Sequence, residues 1–139
     1  MEIRLKKNII LKDNILNLQD FSNDIADLFS SINWTYSDKL INSFKSSTHI
    51  VYAFDNNKLI GIARSMDDGL WQANIDTVIV HKDYQNKGIG SELVKHLLNL
   101  IKDVEYINIC ANDPITIKFY KLFGFENIGG VFLQKHNIW

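Results

Sequence analysis

Residues 78–93 read Val78-Ile79-Val80-His81-Lys82-Asp83-Tyr84-Gln85-Asn86-Lys87-Gly88-Ile89-Gly90-Ser91-Glu92-Leu93. Three β-branched residues close a strand and a polar stretch with two glycines follows; Leu93, Val94, Leu97, Leu98 and Ile101 then recur on one helix face. A strand that passes through a glycine loop straight into a helix aims several N–H groups at one point, because first-turn amides lack partners within their own helix. The helix end favours negative charge there by about 0.3 to 1 kcal/mol per charge, and by ~2 when partly buried. Gly88 and Gly90 remove Cβ atoms so that an anion can approach the chain, and Ser91 adds a hydroxyl. Gly-x-Gly alone also fits a plain turn. The dinucleotide fingerprint needs a third spaced glycine and a P-loop needs Gly-Lys-Ser/Thr, and neither is present.

Working outward, residues 2–11 read as a first strand, and Leu18, Phe21, Ile25, Leu28, Phe29 and Ile32 mark an amphipathic helix. Ser37 suits the N-cap of a shorter helix with Leu40, Ile41 and Phe44 inward. Strands are expected over 48–55, 58–66 and 70–81, joined by turns at Asn56-Asn57 and Asp67-Asp68-Gly69, and another over 104–111 after a helix over 90–102. Asp113-Pro114 starts a last helix that Gly124 stops, with Ile115, Phe119 and Leu122 on one stripe and Thr116 and Tyr120 on the next. Residues 125–136, around Gly129-Gly130, read as a closing hairpin. The order β-α-α-β-β-β-α-β-α-β-β predicts one α/β domain over 1–139, with a mixed, largely antiparallel sheet of about six or seven strands and about four helices.

The chain has 139 residues, 46% hydrophobic and 22% charged, with a net charge of -1 and pI near 6.4. This balance gives no footprint for nucleic acid or an anionic membrane. The N-terminus lacks the apolar core of a secretory signal and no stretch reaches the roughly 20 apolar residues of a membrane span, so a cytoplasmic protein is expected. Cys110, the only cysteine, reads as a reduced core thiol, no cluster has zinc-ligand spacing, and no metal is expected. His49, His96 and His136 have no partnered spacing. The two arginines are Arg4 and Arg64, and the preference for Lys, Asn and Ile fits an AT-rich, bacterial-type genome.

The segment 78–93 resembles the acyl-CoA-binding motif of the GNAT N-acetyltransferase superfamily, Gln/Arg-x-x-Gly-x-Gly/Ala after a hydrophobic strand. Asn112-Asp113-Pro114 and Phe119-Tyr120-Lys121-Leu122-Phe123-Gly124-Phe125 resemble its second signature, and the resemblance covers nearly the whole chain. It departs at His81-Lys82, where the family often has proline. The resemblance implies acetyl-CoA as acyl donor: the amides of Gln85, Asn86, Lys87, Gly88, Ile89, Gly90 and Ser91 would grip its pyrophosphate. Val78, Ile79 and Val80 would pair with the pantetheine arm, and Asn112 would line the groove.

Transfer to an amine needs a neutral nucleophile, and an alkylamine is only ~0.1% neutral at pH 7, a cost of about 4 kcal/mol. Strand alternation puts Asn74, Asp76, Val78 and Val80 on one face, which the resemblance turns toward the acceptor, making Asp76 a candidate base. A binding or structural role for Asp76 stays open. Tyr120 matches the tyrosine that in many family members protonates the departing sulfur; otherwise it is a packed helix tyrosine. A main-chain amide near Val80 would polarise the carbonyl. Trp34, Tyr36, Asp68 and Trp71 are candidates for the acceptor pocket. The expectation is direct attack in a ternary complex by a small-molecule primary amine, with a homodimer through the closing hairpin as a further possibility. The alternatives are a non-catalytic acyl-CoA sensor or interaction module, or acetylation of a protein amine.

Overall fold

The computed structural model describes residues 2–6, 8–13 and 16–137, in two compact units that divide after Asn108. The strands are β1 (Glu2–Lys6), β2 (Ile9–Lys12), β3 (His49–Asp55), β4 (Lys58–Asp67), β5 (Gln72–Val80) and β6 (Tyr106–Ile109). The helices are α1 (Ser22–Ser31), α2 (Asp38–Ser43), α3 (Ile89–Leu100) and α4 (Pro114–Lys121). The six strands lie side by side in chain order. Neighbours from β1 to β5 are antiparallel. Between β5 and β6 the amides of Glu105 and Tyr106 donate to the carbonyls of Leu70 and Trp71 at 3.0 and 2.9 Å. Residue numbers rise together across that seam, so the sheet is mixed.

In the first unit, α1 and the segment after α2 cover one sheet face. Ile25, Leu28, Phe29 and Phe44 pack there against Tyr52, Phe54, Leu59, Ile62 and Ile79. Helix α3 covers the other face through buried Leu93, Val94 and Leu97. The seat for α3 is Gly61 on β4, where an added Cβ would lie 3.1 Å from Leu93 Cδ1 and 3.2 Å from the carbonyl oxygen of Ile79. Among the described residues no helix is long and apolar enough to cross a membrane.

The expected caps and turns form: Ser37 accepts from the amide of Leu40, Asp113 from that of Thr116, and Asn56 takes φ +51 in the β3–β4 turn. Three expectations need correction. The strand expected over 2–11 is a hairpin, because a polar run interrupts the apolar alternation between Leu5 and Ile9; Ile3 pairs with Leu11 and Arg4 with Ile10. Residue 7 lies outside the described residues. In the second unit residues 125–137 form no strand among the described residues. Gly129 and Gly130 both take positive φ, as a tight turn requires, but no ladder flanks them, and Val131, Phe132 and Leu133 are exposed. The stripe on α4 is also displaced: Ile115 and Leu122 are exposed, and the buried residue is Tyr120.

Replacing Gly61 by Val should destabilise the protein by roughly 1–3 kcal/mol, because neither Leu93 nor a backbone carbonyl can recede freely. A urea midpoint equal to that of the wild type would show that α3 is not seated as described.

Candidate active site

The loop between β5 and α3 is held from behind. The amide of His81 donates to the carbonyl of Ile60 (2.8 Å), and its Nδ1 accepts from the amide of Asp83 (3.1 Å), which leaves Nε2–H to donate to Asp27 (2.9 Å). Asp27 is held below its ordinary carboxylate range chiefly by the hydrogen bond from Lys58, which outweighs the opposing cost of burial, with the hydrogen bond from His81 adding to it. Ser31 Oγ receives the amide of Lys82 (3.1 Å), and Tyr84 donates its hydroxyl to Asp55 (2.5 Å). That bond, with burial, pushes the Tyr84 phenol up to about 12. The Gln85 side chain donates to the carbonyl of Val80 at 3.0 Å.

The front of the loop is different. Asn86 and Gly88 take φ +61 and +82, and the first α-helical amide bond runs from Glu92 to the carbonyl of Gly88. Ile89, Gly90 and Ser91 therefore present their N–H groups with no carbonyl one turn behind them within α3. A Cβ built on Gly88 meets nothing within 4 Å, so the space on that side of the turn is open. The residues thus fit a diphosphate. The amide of Gln85 is turned back to the carbonyl of Lys82 (3.3 Å), so its part is the side-chain clamp rather than the N–H expected of it. Beside the loop a cavity of about 260 Å³ is lined by Arg4, Leu5, Ile9, Lys87, Gly88 and Glu92.

Strand β5 is not a regular pleat. Ser65 pairs with Ile75 and Arg64 with Thr77, so Asp76 is an extra residue, a β-bulge. Cross-strand partners share a face. Ile75, Val78 and Val80 thus lie with Ala63, Ser65 and Gly61 on the α3 side, while Asn74, Thr77 and Ile79 lie with Met66, Arg64 and Ile62 on the α2 side. The expectation that Asn74, Asp76, Val78 and Val80 share one face is overturned by the bulge. Asp76 meets Arg64, with Oδ2 accepting from Nη2 at 2.5 Å. Because His81 bonds to Ile60 across β4, alternation turns the amides and carbonyls of Val80 and Val78 to the opposite edge of β5.

Arg64 and His81 are functional candidates that the sequence reading passed over. Both carried a signal: a polar or charged residue in or at the end of an apolar strand asks for a partner. Their partners, Asp76 and Asp27, sit 12 and 54 residues away. Trp34 and Tyr36 are partly exposed, and each packs edge-on against Phe29, which in turn meets Phe44. Asp68 Oδ1 accepts from the amides of Leu70, Trp71 and Gln72, which lowers its pKa and makes it the cap of the β4–β5 turn. Trp71 stands exposed beside Tyr106, ring centroids 5.1 Å apart.

In the second unit, Tyr120 is buried with Phe119 and Phe125 edge-on to it, and burial pushes its phenol up to about 12. Asn112 is exposed and accepts from the Cys110 thiol at 3.5 Å. Cys110 is itself exposed, contrary to the core thiol expected, because β6 ends one residue before it.

A model of the Acetyltransferase (GNAT) family matches residues 17–125. The chain belongs to this family. Among its relatives, an uncharacterised N-acetyltransferase from Pyropia yezoensis is 28% identical over 138 residues, 91% of this chain and 77% of that protein. A GNAT-family acetyltransferase from Streptococcus pneumoniae TIGR4 superposes with TM-score 0.76 at 26% identity, over 92% of this chain and 99% of that one. Glucosamine-6-phosphate N-acetyltransferase from Arabidopsis thaliana shares the fold at TM-score 0.69 and 16% identity, over 91% and 98% of the two chains. That likeness speaks to the fold and not to the acceptor. The GNAT chain is an acyl-CoA-dependent acetyltransferase.

Gly88→Val should abolish acetyl-CoA binding in calorimetry. A side chain would occupy the space before the amides, while the left-handed backbone costs roughly 1–2 kcal/mol and leaves the domain folded. A folded variant with wild-type affinity would remove the loop from the site.

Proposed function

We propose that this chain, acting as a single domain over 1–139, transfers an acetyl group from acetyl-CoA to a primary amine of a small molecule by direct attack in a ternary complex. The observation that carries the reading is the turn of amides at Ile89, Gly90 and Ser91, which lack partners within α3, backed by a loop anchored through His81, Lys82, Tyr84 and the Gln85 side chain.

Acetyl-CoA supplies an activated acyl thioester; the protein must hold it, accept a proton from the amine and give one to the sulfur. The amides from Asn86 to Ser91 hold the diphosphate, the outward N–H and C=O groups of Val78 and Val80 pair with the pantetheine arm, and Asn112 keeps the groove-lining role that the resemblance gives it. An N–H at this edge of β5 is also placed to polarise the carbonyl. Asp76 receives the amine, either as base or as the anion that binds it, with Asn74, Trp34, Tyr36 and Trp71 around the acceptor; Asp68 acts through the turn it caps. Tyr120 serves as acid. A phenol with a pKa raised to about 12 stays protonated at neutral pH, the state a proton donor needs.

Tyr120→Phe should lower kcat by about 10²-fold, the low end for a lost general acid, with the calorimetric affinity for acetyl-CoA unchanged. Because the folded pKa is raised, the phenol keeps its proton as pH rises from about 8 to about 10, and wild-type kcat should not fall across that window on account of Tyr120. An unchanged kcat in the variant, followed as free thiol released over a panel of amines, would end the acid assignment.

A further inference from the structure

The guanidinium of Arg64 is almost fully engaged. Nε donates to Thr77 Oγ1 at 3.2 Å, Nη1 to the carbonyl of Ser43 at 3.2 Å and to Ser47 Oγ at 3.3 Å, and Nη2 to Asp76 Oδ2. The group stacks on Phe44 at 4.5 Å, and its side chain is only 7% exposed. Of five N–H bonds, one is left, so Arg64 has no fork to offer a substrate carboxylate. Its effect falls on Asp76. Oδ2 of that carboxylate takes both Arg64 and the Thr77 hydroxyl (3.3 Å). Oδ1 has no hydrogen bond among the described residues, on a side chain 51% exposed.

We infer that Arg64 is a positioning residue for the acceptor: it pins Asp76 through Oδ2 so that the single oxygen Oδ1 meets a cationic amine. It also ties the end of α2 to that oxygen, because the same guanidinium holds Ser43 and Ser47. The inference rests on the reading of Asp76 as the group that meets the acceptor. It assigns the acceptor class as amines that are cations without a neighbouring carboxylate, since Arg64, the buried cation bonded to Asp76, is saturated by the protein.

The test uses the full chain with acetyl-CoA and three probes, spermidine, phenethylamine and glycine. The wild type should turn over spermidine or phenethylamine with kcat/KM at least about 10-fold above glycine. With the better probe, Arg64→Gln and Arg64→Lys should each lower kcat/KM about 10-fold, mainly through the KM for the amine, because Lys keeps the charge but not the planar fork. Asp76→Asn should lower it about 10- to 100-fold, and the Arg64→Gln/Asp76→Asn double variant should stay within about 3-fold of Asp76→Asn alone. Acetyl-CoA affinity should remain within about 2-fold of wild type in all of them. Losses that multiply in the double variant, or wild-type kcat/KM in Arg64→Gln, would overturn the inference. If Arg64→Gln does not fold, Arg64→Lys and its double with Asp76→Asn decide on the same criterion. Wild-type kcat/KM in Asp76→Asn would sink the reading of Asp76 and this inference with it, whereas loss of acetyl-CoA binding at the loop is read separately by Gly88→Val. A wild type that prefers glycine, or that acetylates neither cationic probe, would overturn the acceptor class.

Discussion

A guanidinium buried between β4 and the segment after α2 has to find acceptors for its N–H groups, since removing a cation from water costs several kcal/mol when it is left unpaired. Arg64 finds them in Thr77, Asp76, Ser43 and Ser47, with the Phe44 ring against its face. This requirement accounts for the irregularity of β5. In an unbroken pleat, Thr77 and Asp76 would point to opposite faces and only one could reach Arg64. The bulge brings both to the α2 side and leaves Val78 and Val80 on the other.

The loop between β5 and α3 follows the same rule of satisfying polar groups, but with an exception at its front. Behind it, His81, Lys82, Tyr84 and Gln85 are each tied to a different part of the first unit: α1, its Ser31 end, β3 and the end of β5. A loop anchored at four points cannot turn its remaining amides inward to find partners. They stay aimed at open space, which is what an anion site must do before its ligand arrives, because donors already in place cost nothing to reorient.

These two features differ in how far a sequence exposes them. The amide turn is a local consequence of strand, glycines and helix in succession, and the caps at Ser37 and Asp113 are equally local, so all could be read directly. The bulge is not local. It depends on Arg64 facing Asp76 across two strands, and an alternation argument assumes the regular pleat that this pair breaks. Helix α4 shows a second limit: Phe119, Tyr120, Leu122 and Phe123 are all apolar or aromatic, so periodicity alone cannot choose between the Ile115 stripe and the side that buries Tyr120. Cys110 shows a third, because a strand end displaced by one residue changes an expected core position into an exposed one.

Strand β5 therefore does two tasks with different parts of one backbone. Its outer edge offers the N–H and C=O groups of Val78 and Val80, while its bulge sends the Asp76 carboxylate to the α2 face. Both are fixed by covalent geometry within five residues of the same rigid element, so the distance between them does not depend on a loop. The side that the proposed function gives to the acceptor could then vary through Asn74 and through Trp34 and Tyr36, which reach Arg64 by way of the Phe29 and Phe44 rings, without disturbing the amides that start α3. Under the proposed function the donor end of the site would be set by main-chain geometry, and selectivity for the amine would reside in the few side chains gathered around Arg64.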